Sequence, residues 1–234
     1  MELRVFPGLT VRDAGYWRHA ALVDQLRALR ARRLMLFVDA MNVLEGAKEL
    51  SGAGHSDIDP HQCDCIALYP LAIEEALQGF PRFRLVRSYW YDAEVTKESQ
   101  LHEVQAALHS TLREMPYCEL ILGAHSREGK QKREKGVDIS LAVSMLDHAF
   151  RDNHDCAAIV SGDADFVPLV RAVKATGKHV LCCAFTWQLG KDDELRYAAD
   201  EFAPLEAALA ETVPKLRGEQ LRQQLEAGGD DEAS

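Results

Sequence analysis

Apolar residues in this chain collect into short continuous runs, and stretches of helical period separate the runs. The first is Leu34-Met-Leu-Phe-Val-Asp39, apolar until its last residue. A run with no polar alternation is the signature of a strand buried on both faces, as in a parallel sheet. Four further strand candidates follow at 83–91, 119–122, 156–160 and 179–185. Helical patterns lie between them near 64–78, 98–114, 138–151, 165–176 and 192–200. Strands alternating with helices imply right-handed βαβ units, with helices on both faces of a mostly parallel sheet. The expected fold is therefore a three-layer α/β/α domain over 34–203.

Both ends depart from this pattern. Residues 1–33 carry seven arginines against three acids, with Leu22, Leu26 and Leu29 at helical spacing. They read as an N-terminal extension ending in an amphipathic helix that packs on the main domain; a basic arm touching RNA is the alternative. Residues 204–227 read as C-terminal helices at 204–209 and 214–225, and 228–234 as a disordered acidic tail. The terminal helices are where a homo-oligomer would form. Residues 42–60, with Gly46, Gly52 and Gly54, read as a loop beside the first strand.

Charge narrows the function. The 234 residues hold 27 Lys and Arg against 37 Asp and Glu, a net charge of −10. That balance argues against a protein that coats nucleic acid, yet not against a nuclease, whose acidic site meets phosphates through bound cations. No apolar run approaches the roughly 18 residues of a membrane helix, and the N-terminus has no leader-like apolar stretch. The expectation is a cytoplasmic protein with no membrane partner. Cys156, Cys182 and Cys183 lie in apolar runs and read as small core residues, with the adjacent pair pointing to opposite faces of a strand. His61, Cys63 and Cys65 lack the usual zinc spacing, and no second ligand pair follows them.

The chemistry lies in acids at strand ends. In an open parallel sheet, ligands bind at the carboxyl ends of the strands. Asp39 closes the first strand, Asp163 and Asp165 follow the strand at 156–160, and Asp138 opens the helix before that strand. Singly, each acid is explained as a helix cap or a dipole partner. Jointly, four carboxylates from three separated segments would repel one another unless hard cations such as Mg²⁺ or Mn²⁺ bound them. Such ions activate water and stabilise a leaving oxygen in phosphodiester cleavage. Asn42, three residues after Asp39, offers an amide to a phosphate or to metal-bound water, or else caps a helix. Ser161 offers a hydroxyl, or merely starts the turn at Gly162.

A basic run, Arg127 to Lys135, adjoins Asp138. It reads as a solvated loop, or as a phosphate track formed by Lys130, Lys132, Arg133 and Lys135. Tyr89, Tyr91 and Trp187 are candidates for stacking on bases, with core packing expected of at least one of the two tyrosines.

Phe37-Val-Asp-Ala-Met-Asn42, Lys135-Gly-Val-Asp138 and Ser161-Gly-Asp-Ala-Asp-Phe-Val-Pro-Leu169 resemble, in order and spacing, the motifs of the NYN family, the LabA-like branch of the PIN-like nucleases. Arg84-Leu-Val-Arg-Ser-Tyr-Trp-Tyr-Asp92 and Leu195-Arg-Tyr-Ala-Ala-Asp-Glu-Phe202 resemble its second strand and its last third. The resemblance implies a PIN-like Rossmannoid sheet and a metal-dependent ribonuclease. In it a Mg²⁺- or Mn²⁺-activated water would hydrolyse RNA, with Asp39, Asp138, Asp163 and Asp165 as metal ligands and Asn42 as helper. Many relatives carry a further acid at the place of Ser144, so the resemblance is compatible with one metal or two. The alternative is a non-catalytic RNA-binding or scaffold module that keeps the fold.

Overall fold

The computed structural model describes residues 32–49, 83–95, 102–123, 125–128, 131–134, 136–190 and 192–207, with backbone alone at 125–128 and 131–134. The extension up to residue 31, His61, Cys63 and Cys65, the helix expected at 64–78, and the C-terminal segments beyond 207 lie outside these residues.

The chain runs β1 (Arg32–Asp39), α1 (Ala40–Ala47), β2 (Phe83–Ala93), α2 (His102–Glu114), β3 (Cys118–Gly123), β4 (His125–Glu128) and β5 (Gln131–Glu134). It continues through α3 (Val137–Phe150), β6 (Cys156–Val160), α4 (Val167–Ala175), β7 (His179–Ala184), α5 (Glu194–Ala198) and β8 (Glu201–Pro204). Six strands form one sheet in the order β3-β2-β1-β6-β7-β8, and every neighbouring pair is parallel. β1 shows why its run has no polar alternation. Leu34, Leu36 and Val38 pack with α1 and α2 on one face, whereas Met35 and Phe37 pack with α3, α4 and α5 on the other. Cys183 and Cys182 divide between the same two faces, and both are free and buried.

Three expectations need correction. Residues 42–47 are helix, not loop, because Asp39 caps α1 by accepting from the Asn42 N–H. Gly46 lies inside that helix because any Cβ there would run into Phe185 and Gln188, so it marks a close approach and not a turn. The basic run is not a plain loop: β4 and β5 form an antiparallel ribbon pairing Ser126 with Arg133 and Arg127 with Lys132. Finally, both Tyr89 and Tyr91 are buried, with Tyr89 stacked on Phe37 at 5.7 Å, so neither can stack on a base. A strand the sequence pattern did not reveal, β8, pairs with β7 and closes that edge, with Pro204 at its end.

Candidate active site

The strand order reverses between β1 and β6, which makes the crevice beyond their carboxyl ends the place where a ligand is expected. β1 ends there in Asp39, and β6, paired to it through Val160 opposite Val38, leads into Ser161, Gly162 and Asp163. From the third segment, Gly136 takes a left-handed conformation at φ 88° as N-cap of α3, a geometry that favours glycine. It starts the helix so that Asp138 lies in the first turn, where the helix dipole favours a negative charge.

Asp39 is buried. Its Oδ1 accepts from the Asn42 N–H at 3.1 Å, and its Oδ2 accepts from the Ser161 hydroxyl at 3.2 Å. Burial pushes its carboxyl up to about 6; the charges of Asp138 and Asp163 act in the same direction, and the two hydrogen bonds oppose them. Asp138 is also raised, first by desolvation and then by Asp163 and Asp165. The four predicted acids thus act on one another electrostatically, from three segments of the chain. Among the described residues, no three His, Cys, Asp or Glu side chains are grouped closely enough to hold a metal ion as they stand.

The remaining predicted residues divide. Asn42 is not a cap: its Oδ1 accepts from the Gly162 N–H at 2.9 Å, tying α1 to the loop after β6. Ser161 is buried, and its hydroxyl also accepts from the Asp163 N–H at 3.2 Å, so it faces inward, toward Asp39. Asp163 caps the short turn Ala164–Phe166 by accepting from the Asp165 N–H at 2.9 Å; the cap expected at Asp165 belongs to Asp163. Asp165 is exposed. Trp187 is half-buried, stacks on Phe185 at 5.0 Å, and donates its indole N–H to the Gly46 carbonyl at 3.0 Å. It braces α1 and is not a free platform. Lys132 and Arg133 fall on β5, whereas Lys130 and Lys135 lie outside the described residues. Ser144 stands beside buried Tyr91, whose hydroxyl burial pushes up to about 12 while Ser144 acts the other way.

Two features escaped the sequence. Gln188 donates its Nε2 to the Asn42 carbonyl at 2.8 Å and so holds the first turns of α1 from the turn that follows β7. Nothing in its sequence setting marks it. Asp92, near the end of β2, is wholly buried; it accepts from the Ala93 N–H at 2.7 Å and the Gln105 amide at 2.9 Å, with His109 Nε2 at 2.7 Å.

The family model described as NYN domain matches residues 33–206. Among solved structures, the chain is similar to a protein of unknown function from Vibrio parahaemolyticus, with a TM-score of 0.52 and 16% identity, covering 76% of this chain and 94% of that one. At that identity the likeness shows a shared fold alone. No curated protein matches the chain. No helix among the described residues is long and apolar enough to cross a membrane. NYN domains fall within the PIN-like nuclease superfamily, whose members typically use divalent metals. With its parallel sheet, its crevice between β1 and β6 and a family match running from the first strand past the last, the chain belongs to the NYN domain family.

Proposed function

We propose that this protein is a metal-dependent ribonuclease that hydrolyses RNA phosphodiester bonds at the crevice between β1 and β6. One observation carries the reading. Asp39 is buried at the switch point with only two hydrogen bonds, and it is pushed toward protonation first by that burial and then by the charges of Asp138 and Asp163. A buried carboxylate in that condition lacks a counter-charge. The donors suit Mg²⁺ or Mn²⁺: they are carboxylate oxygens, without thiolate or imidazole. Asp39, Asp138, Asp163 and Asp165 would hold the cation, the exposed Asp138 and Asp165 being able to swing inward. When bound, it would supply charge neutralisation and an acidified water.

The chain's own residues do the rest. Ser161 and the Asn42 N–H fix the Asp39 carboxylate from two sides. The Asn42 side chain holds Gly162, and through it the loop that carries Asp163 and Asp165. The N-termini of α1 and α3 direct their positive dipole ends toward this crevice, where a phosphate is favoured. The ribbon β4–β5 ends two residues before Gly136 and overlaps the basic run Arg127 to Lys135. An RNA backbone is a suitable counter-charge for so basic a run. In this reading Lys130, Lys132, Arg133 and Lys135 track phosphates.

The test is incubation of single-stranded and transfer RNA with Mn²⁺, comparing wild type with Asp163→Asn. Cleavage leaving 5′-phosphate and 3′-hydroxyl ends in the wild type alone is the expected result. A folded wild type that cuts none of these RNAs would reduce the protein to a non-catalytic module.

A further inference from the structure

Helix α3 has an apolar face too many. Leu141, Met145 and Ala149 are buried against the sheet, as a surface helix requires. Ile139, Val143 and Phe150 nevertheless stand 69%, 62% and 72% exposed. With the partly buried Leu146 they fall at i, i+4, i+7 and i+11. That spacing draws one narrow stripe down the outside of the helix, about 16 Å long at 1.5 Å per residue, the pattern of a seam awaiting another helix.

Four side chains on one helix cover far less than the roughly 800 Å² per partner that a stable dimer buries. A weak seam suits a tethered occupant, because a short tether gives an effective concentration on the order of millimolar without loss of translational freedom. The chain before β1 is such a tether. Arg33 is bonded to the turn that follows α3: its N–H donates to Asp155 at 2.8 Å, and its guanidinium to the Asp152 carbonyl at 2.7 Å. The first described residues of β1 therefore lie beside the Phe150 end of the stripe. Leu22, Leu26 and Leu29 repeat the i, i+4, i+7 spacing of the stripe itself. The three residues from Leu29 to Arg32 span about 10 Å extended, enough to step round that turn. Asp147 and Asp152 near the end of α3 are already paired with Arg151, Arg33 and Lys178, so the dipole end of α3 is what remains to meet Arg18, Arg27 and Arg30 of the extension.

We propose that the leucine face of residues 20–30, which lie outside the described residues, docks along Ile139, Val143, Leu146 and Phe150. The extension is then a strap over the helix whose first turn holds Asp138. Hydrogen–deuterium exchange on the full chain tests this in wild type, Leu26→Glu, Val143→Glu and Val143→Leu. Amides 20–30 should exchange at least about tenfold more slowly than unstructured chain in wild type and Val143→Leu. Both glutamate variants should lose that protection while β1 and β6 amides keep theirs, which separates undocking from unfolding. Unprotected 20–30 in the wild type overturns the proposal. So does protection that survives Val143→Glu, and so does protection of α3 that disappears on dilution while 20–30 stays exposed, the result a second copy would give.

Discussion

Two aspartates stand side by side at the ends of adjacent strands and live in opposite conditions. Asp39 pairs in register with Tyr91, so Asp92 is one residue further along the neighbouring strand. Asp92 is surrounded by donors: a backbone N–H, an amide and a histidine ring take both of its oxygens. Asp39 has one donor per oxygen and carboxylates for company. The first carboxylate is already satisfied and fastens α2 to β2. The second is incomplete, and a cation would complete it. Burial alone does not distinguish a structural acid from a reactive one; the inventory of donors does.

The sharpest way to break that contrast is to neutralise each acid. Asp39→Asn should slow RNA cleavage by about a thousandfold or more, about 4 kcal/mol of transition-state stabilisation. It should leave the metal-free protein at neutral pH as stable as wild type or more so, measured by urea unfolding. Asp92→Asn should do the reverse. It leaves His109 without its carboxylate partner and should destabilise the fold by about 3 kcal/mol, while the cleavage rate of the remaining folded protein changes little. If Asp39→Asn unfolds the chain and Asp92→Asn abolishes turnover, the roles are exchanged.

Proton linkage gives a finer test. The Asp39 carboxyl is raised to about 6 in the folded protein from an ordinary value of 3.8. Between those values the folded state holds more protons than the unfolded state, so this group makes metal-free stability fall as pH rises. The full cost is present above about pH 6 and absent below about pH 4. Thermal unfolding from about pH 4 to about pH 7 should show a decline that Asp39→Asn removes and Mn²⁺ reverses. Because binding displaces the proton, Mn²⁺ affinity should climb up to about tenfold per pH unit below about pH 6 and then level off. A pH-independent affinity would place the cation elsewhere.

The smallest effect belongs to the ribbon. Neutralising Lys130, Lys132, Arg133 and Lys135 together should flatten the salt dependence of RNA binding, by about 0.7 in slope for each phosphate they no longer neutralise. It should leave unfolding unchanged. An unaltered slope would make β4–β5 a surface ribbon with no part in binding.

The strand runs 34–39, 156–160 and 179–185 were legible because a doubly buried strand is apolar along most of its length, those at 83–91 and 119–122 because shorter apolar stretches remain within them, and the helices near 98–114, 138–151, 165–176 and 192–200 because a surface helix keeps a period of about 3.6 residues. The acids were legible because parallel strands carry whatever follows them to one edge of the sheet. Ribbon β4–β5 was hidden, since its residues are polar throughout and its pairing leaves no apolar alternation to read. Helix α1 was hidden by Gly46, a residue whose reason lies in Phe185 and Gln188, far away along the chain.

The sequence by itself determined five of the six strands of the main sheet, that they pair in parallel, and which carboxylates follow the ends of β1 and β6, because each of these follows from local pattern and chain direction. Only the tertiary structure decided that Ser161 faces Asp39, that Trp187 and Gln188 brace α1, that Tyr89 and Tyr91 belong to the core, and that Asp92 is satisfied where Asp39 is not. Those distinctions depend on which donors arrive from distant segments, and residue type does not encode arrival.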